Sequence, residues 1–195
     1  VAKMKQMGAT ESPYGKLFDY MLLGPDENLV FDELIHPRVE GEIAFLMKKD
    51  LYGPFVTAAD VLDATYLVLP AYEIIDSRYF GFRFKTTDSV ADNISAARFK
   101  LGKDGVAPGK LHLEELGVAT RFSDGSELFA TGGAVLGHPA RAVAMYVNLI
   151  SKFHDGLLKD QIILSGAITA ATPVGKGWSV RSQFQGIGEI SLSVD

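Results

Sequence analysis

Residues 36–47 read His36-Pro37-Arg38-Val39-Glu40-Gly41-Glu42-Ile43-Ala44-Phe45-Leu46-Met47, an apolar run that contains two carboxylates. The composition from Val39 onward predicts a strand. Side chains at positions i and i+2 of a strand lie on one face, so Glu40 and Glu42 would be neighbours. Burial and mutual repulsion destabilise two such charges, and a divalent cation bound to both would remove the conflict. The alternative is an exposed strand face with two solvated acids.

A third carboxylate follows the next apolar run of the chain. Glu73 comes directly after Val68–Tyr72, where a charge is unfavourable unless it is paired. With Glu40 and Glu42 it would complete an oxygen-rich set of ligands suited to Mg²⁺ or Mn²⁺. The alternative is an ion pair at a strand end, in which Arg78 binds Glu73 or Asp76.

Two further polar groups have structural as well as functional interpretations. Asp92, Asn93 and Ser95 lie in a segment otherwise suited to a core, and an Asx-type turn or a helix cap would explain them. His138 precedes Pro139 at the start of an amphipathic stretch over residues 139–153, which predicts a helix. For His138 we favour a loop residue that hydrogen-bonds the backbone.

Composition excludes several classes of protein. The chain has 195 residues, of which 47% are apolar and 22% charged, and this is typical of a globular domain. A net charge of -5 without a basic cluster argues against nucleic acid as a partner. The absence of cysteine excludes disulfides and thiolate chemistry. The apolar runs are too short to span a bilayer and no signal-peptide pattern opens the chain, so we expect a cytoplasmic protein without a membrane partner.

The remaining patterns indicate many short strands and few helices. Residues 112–131 alternate as strands do, with a turn at residues 123–126, and a terminal hairpin turns at residues 186–188. Thr57 and Asp60 form an approximate capping box at the start of a helix, and residues 1–8 read as the end of another. We therefore expect one α+β, mostly β domain over residues 1–195.

Four segments in consistent order resemble the motifs of a known family. They are similar to those of the fumarylacetoacetate hydrolase superfamily, in its hydratase/decarboxylase branch of the meta-cleavage pathway for aromatic compounds. The resemblance implies a mixed, rolled β-sheet core with a few peripheral helices, and metal ligation by Glu40, Glu42 and Glu73. The four segments are His36–Phe45, Pro70–Arg78, Val90–Ser95 and Leu136–Pro139. Substrate-facing roles are implied for Asp19, Asp92, Asn93, Ser95, Ser165 and Thr169.

The segment Leu164–Val174 resembles the decarboxylases of this branch, through its Ile-Thr-Ala-Ala pattern at residues 168–171. We therefore expect Mg²⁺-dependent (or Mn²⁺-dependent) decarboxylation of 2-oxo-3-hexenedioate to 2-hydroxypenta-2,4-dienoate and CO₂. The alternatives are a hydratase, which adds water to the dienoate, and a non-catalytic partner subunit of such a hydratase. Family resemblance also implies a homo-oligomer and a complex with the pathway hydratase.

One departure from the family concerns the N-terminus. The family carries an earlier segment of the type Lys-x-Gly-(Leu/Val)-Thr-Ser, whose lysine lines the active site. Neither Lys3 nor Lys5 matches that lysine. We expect a single catalytic domain that lacks this N-terminal segment and that turns over slowly without it.

Overall fold

Two long antiparallel strands, β2 (Arg38–Met47) and β4 (Thr65–Ile75), form the centre of the structure. The computed structural model describes residues 13–109 and 111–195. The helix end predicted at residues 1–8 lies outside the described residues, as do Lys3 and Lys5. The strand predicted from Val39 to Met47 is confirmed and begins one residue earlier.

Shorter elements surround this pair. The other strands are β1 (Leu22–Leu23), β3 (Leu51–Tyr52), β5 (Ala96–Leu101), β6 (Gly117–Phe122), β7 (Glu127–Thr131), β8 (Gly156–Leu157), β9 (Ile162–Leu164), β10 (Thr172–Pro173), β11 (Ser179–Phe184) and β12 (Gly188–Ser193). The α-helices are α1 (Ala58–Ala64), α2 (Thr86–Ala91) and α3 (Pro139–Ile150). Short 3₁₀ turns cover Asp19–Met21, Phe31–Glu33, Phe80–Phe82, Asn93–Ser95, Gly132–Ala134 and Ser151–Phe153.

The strands form two main sheets and one small ribbon. The first sheet has the order β1-β5-β4-β2-β10, with β9 also paired to β2, and its β1–β5 pair is parallel while the others are antiparallel. The second sheet is antiparallel, with the order β12-β11-β6-β7. The predicted hairpins β6–β7 and β11–β12 are therefore confirmed. Strands β3 and β8 pair separately.

The core lies between the two sheets, because strand alternation gives the first sheet one apolar face. Val39, Ile43 and Phe45 of β2 and Tyr72 of β4 belong to the same buried cluster as Phe184 of β11. The intervening residues of β2 and β4 point to the opposite face. That opposite face is the one that carries the carboxylates.

Two of the helices, α1 and α3, begin where the sequence predicts. Thr57 caps α1 and forms a capping box with Asp60. His138 caps α3, and its Nδ1 accepts a hydrogen bond from the Ala140 N–H over 3.0 Å, which confirms the backbone-bonding interpretation of this residue. The helix predicted over residues 139–153 ends at Ile150 and continues as a 3₁₀ turn.

The mostly-β, α+β architecture is thus confirmed: a curled mixed sheet with few helices. Among the described residues, none of the helices combines the length and apolar character that crossing a membrane requires.

Candidate metal centre

Strand register brings the three glutamates together. Glu40 of β2 lies directly opposite Glu73 of β4, and Glu42 lies two residues further along β2 on the same face. The carboxylates each offer an oxygen, and these oxygens lie within 4.8 Å of one another. The side chains of Glu40 and Glu42 are only 2% and 1% exposed, while Glu73 is partly buried.

A crossing segment fixes the position of Glu42. The chain from Ser165 to Thr169 runs along the edge of β2, in the gap between β9 and β10. The Ser165 N–H donates to the Ile43 carbonyl over 3.0 Å, and the Ile168 N–H donates to the Gly41 carbonyl over 2.9 Å. The Gly166 N–H donates to Oε2 of Glu42 over 2.7 Å. Gly166 has a φ of +97°, a backbone conformation that favours glycine.

The donor set determines which ions the cluster suits. Three carboxylates concentrate negative charge on a buried sheet face, where mutual repulsion and burial of charge are both unfavourable. A hard divalent cation such as Mg²⁺, Mn²⁺ or Ca²⁺ takes oxygen ligands and neutralises that charge. The residues present therefore fit such an ion, with coordination positions left over for water or a ligand.

Two of the three carboxylates face a cavity of about 900 Å³. Glu42 and Glu73 line its sheet side, together with Phe99 of β5. A face of α3 forms another wall of the cavity, and the segment 13–18 also lines it. The α3 residues that line it are Ala142, Met145, Tyr146, Asn148 and Leu149. The cavity is therefore apolar over much of its helix side and acidic on its sheet side.

Asp19 and Ser165 line the same cavity as the carboxylates. Asp19 is exposed, and its Oδ1 accepts a hydrogen bond from the Tyr20 N–H over 2.9 Å. Ser165 is buried, and its hydroxyl contacts the Gly166 carbonyl at 3.3 Å. The structure thus brings these two predicted site residues together with Glu42 and Glu73.

Asp92 and Ser95 lie behind the cavity wall in a hydrogen-bonded network. Oδ1 of Asp92 forms an ion pair with Nε of Arg78 at 2.8 Å, and Oδ2 accepts from the Ser95 hydroxyl at 3.1 Å. Folding brings Asp92 to Arg78, so the Arg78 ion pair that the structure describes is with Asp92 and not with Asp76, which one alternative had named. The Asp76 carboxylate instead accepts hydrogen bonds from the N–H groups of residues 35 and 36.

Asn93 holds the segment 13–18, which lines the cavity. Its Oδ1 accepts from the Lys16 N–H over 2.7 Å, and its Nδ2 donates to the Lys16 carbonyl over 2.8 Å. Asn93, Ile94 and Ser95 all have positive φ angles, of 49°, 50° and 66°. Three consecutive non-glycine residues in this region store backbone strain, a feature that clusters at functional sites. Ile94 lines the cavity. Asn93 does not line it but hydrogen-bonds the backbone of Lys16, which does.

Thr169 contacts the backbone between the two β2 carboxylates. Its Oγ1 accepts from the Gly41 N–H over 2.8 Å. A Cβ atom at Gly41 would lie 3.2 Å from that oxygen, so glycine lets the threonine approach the strand. Asp92, Asn93, Ser95 and Thr169 are not among the described residues that line the cavity. Their substrate-facing roles stay predictions.

The cavity also contains polar residues that sequence reasoning missed. Lys16, Lys152 and Tyr146 line it, and the Tyr14 ring meets the Tyr146 ring edge-on at 5.1 Å between centroids. Burial raises the pKa of the Tyr146 hydroxyl, and the nearby Lys16 ammonium partly offsets that rise. These residues come from a loop and a helix far apart in the chain, and no local motif marks them.

Comparisons with known proteins agree with this geometry. The chain is 41% identical over 191 residues to 4-oxalocrotonate decarboxylase of Pseudomonas sp. (strain CF600), an alignment that covers 97% of this chain and 72% of that protein. It is 37% identical over 201 residues to 2-hydroxyhexa-2,4-dienoate hydratase of Comamonas testosteroni, covering 96% of this chain and 76% of the hydratase. No family model matches the chain.

A solved structure shares the whole fold. The chain superposes with a TM-score of 0.94 and 39% identity on 4-oxalocrotonate decarboxylase from Pseudomonas putida G7 complexed with magnesium and adipate, covering 100% of this chain and 74% of that one. Fold and site together define the class of metal-dependent lyases. Within that class, the chain belongs to the hydratase/decarboxylase branch of the fumarylacetoacetate hydrolase superfamily.

Proposed function

We propose that this protein decarboxylates 2-oxo-3-hexenedioate to 2-hydroxypenta-2,4-dienoate and CO₂ in the breakdown of aromatic compounds. The observation that carries the proposal is the carboxylate triad Glu40, Glu42 and Glu73, of which Glu42 and Glu73 line a cavity. The similarity to 4-oxalocrotonate decarboxylases supports the choice of reaction. Adipate, which the structural relative holds, has the chain length and the two carboxylates of the proposed substrate.

In this proposal the triad holds Mg²⁺, with Mn²⁺ as the alternative. A divalent cation bound there supplies Lewis-acid polarisation of the 2-oxo group. The Gly166 N–H fixes Glu42, and β-sheet register fixes Glu40 against Glu73, so the ligands are positioned before any ion arrives. Asp19 and Ser165, which share the cavity, are proposed to contact the substrate.

The substrate itself provides the path for the electrons. The C5–C6 bond breaks and its electron pair forms the C4–C5 double bond. The C3–C4 pair shifts to C2–C3, the 2-oxo oxygen takes the charge, and that oxygen then gains a proton. The apolar residues of α3 that line the cavity, Ala142, Met145 and Leu149, limit the access of water to the reacting part of the substrate.

A second candidate function is hydration of 2-hydroxypenta-2,4-dienoate. The similarity to 2-hydroxyhexa-2,4-dienoate hydratase favours it, since the chain is 37% identical to that hydratase and 41% identical to a 4-oxalocrotonate decarboxylase. A non-catalytic subunit that binds a hydratase is the third reading. Assembly into a homo-oligomer, a complex with the pathway hydratase and a cytoplasmic location stay predictions.

The two reactions differ in a measurable product. The purified protein is incubated with 2-oxo-3-hexenedioate and Mg²⁺ while CO₂ release and the ultraviolet absorbance of the diene are followed. Decarboxylation releases CO₂ and forms the conjugated dienoate, whereas a hydratase releases no CO₂ and removes the absorbance of added dienoate. Hydration without CO₂ release would contradict the decarboxylase proposal. Turnover of neither substrate would favour the partner-subunit reading.

A further inference from the structure

Lys16 lies on the side of the cavity formed by the segment 13–18, next to the helix wall that carries Tyr146. The carboxylates Glu42 and Glu73 line the sheet wall of the same cavity. A cation and a phenol are thus presented from one part of the cavity, and acidic ligands for a metal from another. A ligand with an anionic group at each end would complement both.

The backbone of Lys16 is held firmly. The side-chain amide of Asn93 makes two hydrogen bonds to it, at 2.7 and 2.8 Å. A Cβ atom at Gly15 would lie 2.8 Å from the Asn93 carbonyl oxygen, so glycine allows the segment to lie directly against the strained turn. Tyr14 adds its ring contact with Tyr146 on α3. Contacts at three successive residues therefore fix the point from which the lysine side chain starts.

Lys16 and Tyr146 line the same cavity, and the Lys16 ammonium is near enough to lower the pKa of the Tyr146 hydroxyl. Burial raises the pKa of that hydroxyl, so it is protonated and able to donate a hydrogen bond at neutral pH. An ammonium and a hydroxyl that line the same cavity provide donors that match the two oxygens of a carboxylate.

We propose that Lys16, together with the Tyr146 hydroxyl, binds the substrate's distal carboxylate and thereby selects diacids over monoacids. This inference rests on the proposed function, because it assumes that the 2-oxo acid end of the substrate lies at the carboxylate triad. At its distal end, the substrate of a dienoate hydratase carries a CH₂ group, which offers no partner to a cation. Lys16 is accordingly a specificity-determining residue for the proposed decarboxylation.

The role has a kinetic signature. The distal carboxylate is charged in the bound substrate and becomes neutral CO₂ as the reaction proceeds. Its pairing with Lys16 is therefore strongest in the ground state, and it contributes to binding rather than to the rate of the chemical step. Replacing Lys16 by Met should raise KM about 10-fold for the diacid without lowering kcat. A merely structural lysine would lower kcat or stability instead.

Binding measurements test the proposal independently of turnover. Calorimetry with the Mg²⁺-loaded protein compares 2-oxoadipate with 2-oxohexanoate, which share the 2-oxo acid end and differ in the distal carboxylate. We expect the wild type to bind 2-oxoadipate about 10-fold more tightly. Lys16→Met should abolish that preference and leave 2-oxohexanoate binding unchanged, while Lys16→Arg should keep most of it.

Two control variants complete the design. Lys103→Met removes an exposed charge outside the described cavity lining, where Lys103 pairs with Asp26, and should keep the preference. Lys152→Met removes the other lysine of the cavity. A preference that is lost in Lys152→Met and kept in Lys16→Met overturns the assignment to Lys16.

The outcomes also separate this inference from the proposed function. If the wild type binds both 2-oxo acids equally in the presence of Mg²⁺, the inference is wrong and the 2-oxo acid site stands. If the wild type binds neither ligand with Mg²⁺ present, the proposed function is wrong and the inference is overturned with it.

Discussion

At the residue scale, the candidate centre depends on the alternation Glu40-Gly41-Glu42. The glutamates point to the cavity face of the sheet, and Gly41 between them leaves room for Thr169 on the other side. Register then supplies Glu73 from the neighbouring strand. Burial of any one of these carboxylates alone is unfavourable. Together they form a set of ligands whose charge a divalent cation offsets.

Replacing Glu42 by Gln removes one negative charge and preserves the shape of the side chain. The Gln carbonyl can still accept the Gly166 N–H, so the strand should keep its structure. We expect Mg²⁺ affinity to fall at least about 10-fold, as measured by titration calorimetry. Mg²⁺ should also raise the unfolding midpoint of the wild type by mass action, and raise that of the variant less.

Glu127→Gln is the matched control, because Glu127 is exposed on β7 and pairs with Arg121. It should bind Mg²⁺ as the wild type does. Unchanged Mg²⁺ affinity in Glu42→Gln would refute the assignment of this carboxylate as a ligand.

At the scale of elements, α3 connects the core to the cavity. Val143 and Val147 of this helix are buried in the core, whereas Ala142 and Tyr146 line the cavity. Its start is set by His138, whose neutral imidazole accepts a hydrogen bond from the Ala140 N–H. The position of the cavity wall therefore depends on a titratable cap.

Acid should weaken this cap. Burial lowers the pKa of His138 below its usual value of about 6.5, although Glu114, 3.5 Å from Nε2, favours the protonated form and Arg141 opposes it. The folded state thus prefers neutral His138, and stability is lost as pH falls from about 6.5 through the folded-state pKa. A protonated imidazole has no acceptor, so about 1 kcal/mol of capping energy should disappear.

His138→Asn provides the measurement, because Asn caps helices without titrating. Urea unfolding between pH 7.5 and pH 5 should show a smaller loss of stability in this variant than in the wild type. His154→Asn is the control: His154 is exposed with a φ of 58°, which Asn tolerates. Equal pH dependence in wild type and His138→Asn would contradict the prediction.

At the scale of the whole molecule, a chain of buried hydroxyls joins the two sheets. The Tyr72 hydroxyl of β4 donates to the Ser182 hydroxyl of β11 over 2.7 Å, and Ser182 lies 2.6 Å from the Thr120 hydroxyl of β6. Tyr72 lies directly opposite Gly41 in the pairing of β2 with β4, and it precedes Glu73 along β4. The sheet that carries the carboxylates is therefore anchored to the second sheet next to the candidate centre.

Tyr72→Phe should weaken this junction. The variant leaves the ring in the core and removes the hydroxyl, so we expect a loss of about 1–2 kcal/mol in urea unfolding. Burial also raises the pKa of Tyr72. Wild-type stability should consequently fall above about pH 10, where only the unfolded tyrosine ionises, and the variant should show less of that fall.

Tyr66→Phe is the control for this change, because Tyr66 is 57% exposed on the same strand. Its stability should match that of the wild type within about 0.5 kcal/mol. If Tyr72→Phe and Tyr66→Phe unfold at the same urea concentration, the hydroxyl chain does not stabilise the junction between the sheets.

Local patterns were sufficient for much of the fold. Strand β2, the capping box of α1, the start of α3 and the two hairpins all follow from residues close in sequence. The sequence around Arg78 did not reveal its ion pair with Asp92, because Glu73 and Asp76 are acids closer to it along the chain. Which of several acids meets a given cation depends on how the segments between them fold.

The sequence by itself determined that Glu40 and Glu42 share a strand face, because side-chain direction has a period of two in any strand. It could not determine the partner of that strand. Only the tertiary structure decided that Glu73 lies opposite Glu40, that Gly166 orients Glu42, and that Lys16 and Tyr146 line one cavity. Those contacts join residues distant in the chain, and their geometry is set by packing of the whole core rather than by any local preference.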